Sequence, residues 1–201
     1  MARRNTAADE QGSPDRVQRL MTPDGSEIDR LQGFRLNLKI EFRRCRRDDL
    51  EALEWWGQFS EHREIIRAAF ERQRLGELVM LLADLEGFPI GQVWIDFRPT
   101  PRTEEGKISA SLWAVRVLPP LRNQGIGEKL MLAAEEIVRG RRYDELALTV
   151  ERSNPGAKRF YERLGYRTSG NADGEYSYRS PTGQVRRIPL NQWVMRKPLP
   201  R

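Results

Sequence analysis

The chain has 201 residues, enough for one domain with a substantial core. Its hydrophobic fraction of 38% lies below the globular average and its charged fraction of 32% above it, which fits a soluble domain with a polar extension and excludes a wholly disordered chain. The net charge is +6, but the arginines are interspersed with acids and no Lys/Arg run reaches the length of a basic arm, so nucleic acid is not an expected partner.

Cys45 is the single cysteine, which excludes an intramolecular disulfide and a thiolate-rich zinc site; no metal is expected. No apolar stretch reaches the roughly 18 residues that a membrane span requires. The N-terminus begins with basic residues but lacks the apolar region of a secretory signal. The expected location is the cytoplasm.

Residues 1–33 are poor in large apolar side chains and contain Gly12-Ser13-Pro14 and Thr22-Pro23-Asp24-Gly25. Such a segment buries too little surface to offset its ordering entropy, so it reads as a flexible tail, with Val17, Leu20 and Met21 offering a short helical contact. The domain is expected over residues 34–201. Leu36, Leu38, Ile40 and Phe42 alternate with polar residues as in a half-buried strand. Asp48-Asp49 supplies helix-start chemistry ahead of Leu50, Leu53 and Trp56, and a second helix is expected over 60–74. The apolar run Leu78–Leu85, the Glu86-Gly87 turn and the segment Ile90–Phe97 read as a hairpin. A strand over Ile108–Val117, a helix over Ile126–Arg139, a strand over Glu145–Val150 and a helix over Pro155–Leu164 follow. Two late strands are expected near Tyr176–Arg179 and Gln192–Arg196. The order β-α-α-β-β-β-α-β-α-β-β implies an α/β (α+β) fold, a mixed sheet with helices on both faces.

The segment Val115 to Gly127 is the most informative. A strand ends at Pro119-Pro120, and a short Gly-containing turn opens a helix whose Ile126, Leu130, Ala133, Ala134 and Ile137 share one face. Free N–H groups and the positive end of the helix dipole make an anion site there. Gly125 and Gly127 would let a diphosphate approach the backbone, and Arg122 adds a permanent cation. A Walker A loop would need Lys-Ser/Thr after its last glycine, and Glu128-Lys129 does not match; a dinucleotide fingerprint would need glycine at Leu130. A helix cap with no ligand remains the alternative reading at this point.

What remains is Arg/Gln-x-x-Gly-x-Gly/Ala at Arg122, Gly125 and Gly127, followed after the next strand by Asn154-x-x-Ala157-x-x-x-Tyr161-x-x-x-Gly165-Tyr166. The two motifs together resemble those of the GNAT superfamily of acetyl-CoA-dependent N-acetyltransferases, with Tyr166 where the family usually has Phe. The C-terminal Trp193-Val-Met-Arg-Lys-Pro-Leu199 is similar to the family's last strand. The resemblance covers about residues 35–200. It implies the GNAT acyl-CoA N-acyltransferase fold, a central mixed sheet of about seven strands with helices on both faces. It also implies acetyl-CoA as co-substrate, held by Val115, Val117, Arg122, Asn123, Gln124, Gly125, Ile126, Gly127, Asn154, Ala157 and Tyr161.

The implied reaction is direct transfer of an acetyl group to an amine of a small molecule or protein, by a monomer or homodimer. Tyr161 stands two helical turns after Asn154, and the resemblance makes its hydroxyl the general acid for the departing sulfur. Positions that carry a basic Glu in some relatives are Ser111 and Thr149 here, so a water held by these two, or a carboxylate elsewhere such as Asp96 or Glu54, would have to remove the amine proton. His62, the only histidine, borders the acceptor region by the same resemblance. Trp55, Trp56, Trp94 and Trp113 serve either an acceptor pocket or the core. The missing carboxylates also fit a second reading, a CoA-binding regulatory module with little turnover.

Overall fold

The computed structural model of the chain describes residues 18–21, 27–30, 37–98 and 106–200. The chain divides into two compact units, Met1–Leu38 and Lys39–Arg201. In the first, β1 (Gln18–Met21) and β2 (Glu27–Arg30) pair antiparallel, with Leu20 opposite Ile28. Leu20 and Met21 thus lie in a strand and not in the helical contact that the sequence offered; Val17 falls outside the described residues. A lone helical turn leaves most of its backbone groups unbonded, whereas a short hairpin pairs them.

The second unit runs β3 (Glu41–Arg44), α1 (Arg63–Arg74), β4 (Leu78–Leu85), β5 (Phe88–Asp96), β6 (Ser109–Val117), α2 (Ile126–Gly140), β7 (Glu145–Glu151), α3 (Pro155–Arg163), β8 (Arg167–Arg179) and β9 (Val185–Pro198). They form one seven-stranded sheet in the order β3-β4-β5-β6-β7-β9-β8. All neighbours in it are antiparallel except β6 and β7, whose α2 crossover makes them parallel. This is the mixed sheet with helices on both faces that the sequence implied.

Alternation along β4 explains how both faces are covered. Leu78, Met80 and Leu82 join Ile66 and Ala69 of α1, while Val79, Leu81 and Ala83 join Leu130, Ala134 and Val138 of α2. A strand buried on both sides needs no polar alternation, so its sequence is one apolar run. The Glu86-Gly87 turn has both residues at positive φ, the twist that a two-residue hairpin requires.

Four expected elements differ in extent. The first strand of the sheet begins at Glu41, and the helix expected after Asp48-Asp49 is a series of 3₁₀ turns at Arg47–Asp49 and Ala52–Glu54. Asp49 is occupied there: it accepts from the Arg46 amide at 2.6 Å and from Arg43 at 2.7 Å, and Trp55, Trp56 and Gly57 at positive φ stop any continuation. The last two strands are 13 and 14 residues long. Along β8 and the first half of β9 both faces are largely exposed, so no apolar periodicity marks their length.

Candidate functional site

The sheet is split where its two parallel strands meet. β6 and β7 pair only from Ser109–Leu112 to Glu145–Leu148. Beyond Leu112, β6 stays with β5 and β7 stays with β9, so Trp113–Val117 and Thr149–Glu151 face each other without a shared ladder. Unpaired strand edges present N–H and C=O groups to whatever enters between them.

On the α2 face the split opens toward the turn that starts α2. Asn123 and Gly125 are both left-handed, at φ 61° and 80°. No described residue accepts a hydrogen bond from the backbone N–H groups of Asn123 through Glu128. Left-handed residues alternating with right-handed ones turn successive N–H groups into one concavity, an anion nest at the positive end of a helix. A Cβ on Gly127 would stand 3.4 Å from the Phe160 ring, so glycine leaves the space between α2 and α3 open there. Arg122 is exposed and its Nε donates to the Val117 carbonyl at 3.1 Å, which ties the turn to the end of β6. Gln124 is exposed, whereas the Ile126 side chain is buried in the core and only its backbone can serve a ligand.

On α3, Asn154 accepts the Ala157 amide at 3.0 Å and caps the helix. Tyr161 is buried against Phe160 and Tyr166. Burial pushes its hydroxyl up to about 12. The hydroxyl bonds to no described residue, yet it is not among the side-chain atoms sealed from solvent. Tyr161 does not line the cavity on the other face of the sheet; it belongs to the α2–α3 side of the split.

That cavity, of about 760 Å³, lies on the α1 face and includes Phe59, His62, Trp94, Asp96, Ser111, Trp113, Val115, Arg116, Thr149 and Tyr176. Val115 and Thr149 sit at the split and Ser111 lies in the last paired residues before it, so the structure does bring the two water-holding candidates to one cavity. Of the candidate carboxylates, Asp96 is in the cavity but receives bonds from Arg72 at 2.6 Å and Arg98 at 2.9 Å. Burial raises its pKa, but these cations outweigh burial and hold the carboxyl below its ordinary value. Glu54 lies elsewhere, paired with Arg63 at 2.5 Å, and the pair depresses it too. His62 stacks on Tyr178 and lines the cavity; burial and then the Arg116 charge lower its pKa, so it is neutral at pH 7. Trp94 and Trp113 line the cavity, Trp55 is core, and Trp56 is exposed and stacked on Phe88.

Sequence reasoning missed Arg116. β6 carries a bulge: Gln92 pairs with Arg116 and Trp94 with Trp113, so Ala114 and Val115 stand against Val93 alone, with Ala114 at φ 52°. One extra residue reverses the alternation and puts Arg116 on the same face as Ser111 and Trp113. A bulge leaves no composition signal, and strict alternation would have put Arg116 on the opposite face.

The sequence model of the acetyltransferase (GNAT) family matches residues 41–166. The chain belongs to this family. No curated protein sequence matches it. Its fold is similar to that of a putative GNAT-family acetyltransferase from Desulfovibrio desulfuricans, at 17% identity and TM-score 0.62 over 81% of this chain and 100% of that one. It is similar to the PaiA N-acetyltransferase from Thermoplasma acidophilum in complex with coenzyme A, at 20% identity and TM-score 0.61 over 80% and 99%. It is likewise similar to Arabidopsis thaliana NAA60 in complex with acetyl-CoA, at 20% identity and TM-score 0.59 over 80% and 99%. Two of these structural neighbours were thus solved with CoA or acetyl-CoA bound. Among the described residues, no helix is long and apolar enough to cross a membrane.

Proposed function

We propose that this GNAT protein transfers an acetyl group from acetyl-CoA to the amine of an acceptor held in the cavity on the α1 face. One observation carries the reading. The split between β6 and β7 joins a turn of unbonded amides on one face of the sheet to an open cavity on the other. The residues present fit the co-substrate. The N–H groups of Asn123 through Glu128, with Arg122, match a diphosphate, and the free edges at Val115 and Val117 match an amide-bearing arm. Asn154, Ala157 and Tyr161 border that arm from α3.

When bound, acetyl-CoA supplies a thioester carbonyl open to attack by an amine. An N–H on the unpaired edge of β6 is placed to meet the oxygen as charge develops on it. The amine must lose a proton, and among the cavity residues only His62 and Asp96 are bases at neutral pH. Asp96 is occupied by two arginines, so the proton passes to His62 through water held at Ser111 and Thr149. Tyr161 retains its proton at neutral pH and is the group on α3 able to give it to sulfur.

Acetyl-CoA, the protein and a panel of amines, followed by thiol release, test the reading. Release that depends on one amine class is the expected result. CoA binding with no thiol release for any amine would replace it with the regulatory-module reading.

A further inference from the structure

Among the described residues, every side-chain polar atom that is sealed from solvent and lacks a hydrogen-bond partner lies on or behind one cavity wall. The atoms are His62 Nδ1, both amide atoms of Gln92, Trp94 Nε1 and Arg116 Nε. Native proteins satisfy nearly all such atoms, so a cluster of exceptions marks a place shaped for something other than packing.

Arg116 is the centre of the cluster. It forms no hydrogen bond and no ion pair with any described residue, although the other three arginines of the cavity, Arg72, Arg98 and Arg196, all have carboxylate partners. Its guanidinium lies 3.8 Å from the centre of the Phe59 ring and 5.5 Å from that of Trp55. Rings against the face of a guanidinium fix its plane and leave the in-plane N–H fork free for a planar oxyanion. Nε is sealed, whereas the two terminal nitrogens are not. Burial alone pulls the group down to about 10, which still leaves it cationic at pH 7. An unpaired, half-buried cation is costly, and an anionic ligand would offset that cost.

We propose that Arg116 is the carboxylate receptor of the acceptor site, and that the acceptor is a small α-amino acid with an apolar or aromatic side chain. The inference rests on the transfer reading above. The carboxylate pairs with the Arg116 fork, the side chain lies against Trp94, Trp113 and Tyr176, and the amine points to the split at Ser111 and Thr149. Nearby positive charge disfavours an ammonium and so helps the amine reach its reactive neutral form. The same charge works against polyamines and Lys-rich peptides, which bring cations and no anion to pair with Arg116.

Phenylalanine, phenylalaninamide and phenethylamine form the test series, with methionine and its amide as an aliphatic pair. The amide's amine is the less basic, so intrinsic reactivity favours the amide and any preference for the acid must come from the site. Thiol release should give kcat/KM for the acid at least about tenfold above the amide, the scale of one charge-assisted bidentate pair. The ratio should fall below about threefold in Arg116→Met and stay intermediate in Arg116→Lys, which keeps the charge and loses the fork. Equal use of acid and amide by the native protein overturns the proposal without any variant. An unchanged ratio in folded Arg116→Met overturns it too, and a loss of stability alone would show Arg116 to be a packing residue. If neither amine releases thiol, calorimetry separates the two claims. Phenylalanine bound about tenfold tighter than its amide keeps the carboxylate site and removes the transfer reading, and equal binding removes both.

Discussion

Tyr161 and His62 carry opposite burdens from the same physical cause. Burial disfavours the charged form of each, which keeps the Tyr161 phenol protonated and the His62 imidazole neutral. Tyr161→Phe retains the ring packed on Phe160 and Tyr166 and removes only the donor. Turnover should drop by about 10²-fold, the lower end of acid–base effects, with CoA affinity little changed. Unchanged turnover on the true acceptor would make Tyr161 a wall and nothing more. For His62 the folded pKa lies below 6.5, so the base is available above that depressed value and lost as pH falls through it. The acceptor kcat/KM should therefore rise with pH through a limb below 6.5, and His62→Gln should abolish that limb. A limb that survives the substitution would assign the proton to another group. In the sequence His62 was visible as the single histidine, near the acceptor region by resemblance alone. What distinguishes it is Arg116, which the bulge at Ala114 brings to the same wall.

At the scale of elements, the turn before α2 was legible because glycine spacing and a helix start are local features, and the structure shows the left-handed Gly125 that such a turn requires. Gly125→Val with Gly127→Val should strain the turn and crowd Phe160, raising the CoA dissociation constant at least tenfold, about 1.4 kcal/mol. Unchanged affinity in a folded double variant would remove the loop from the site. The 3₁₀ turns after β3 were not legible, since Asp48-Asp49 signals a helix start equally well when one carboxylate is taken by a distant partner. Arg43 joins Asp49 of the turns to Asp84 at the end of β4, and both acids are 6% exposed. Burial raises the Asp49 pKa, but bonds from Arg43 and the Arg46 amide outweigh it and leave the carboxyl below its ordinary 3.8. Its stabilisation is thus full at pH 7, fades below 3.8 and is gone once pH passes its depressed folded value. Asp49→Asn should cost about 3 kcal/mol at pH 7 and nothing in stronger acid, as read by urea midpoints at each pH. A pH-independent loss would assign the effect to packing.

Over the whole molecule, the order of strands and helices was readable wherever burial marked the residues: β4, β5, α2 and α3 lie within two residues of their expected bounds and α1 within three. β8 and β9 were expected as strands but not at their full length, because Gly170, Asn171, Asp173 and Gly174 sit in a part of β8 largely exposed on both faces. β8 nonetheless brings Tyr176 to the cavity and Tyr178 onto His62. Removal of residues 1–33 should leave CoA binding intact, because the site elements all lie in Lys39–Arg201. A truncated protein that unfolds or loses CoA would make that segment part of the working domain. Backbone amide resonances report directly on the split sheet and its unbonded amides. In a titration of the isotope-labelled full chain with CoA, the signals of Asn123 through Glu128, Val115 and Val117 should shift together and saturate at micromolar to submillimolar ligand, the usual range for such substrates. CoA that binds while leaving these amides unshifted, or no binding at millimolar ligand, would contradict the account.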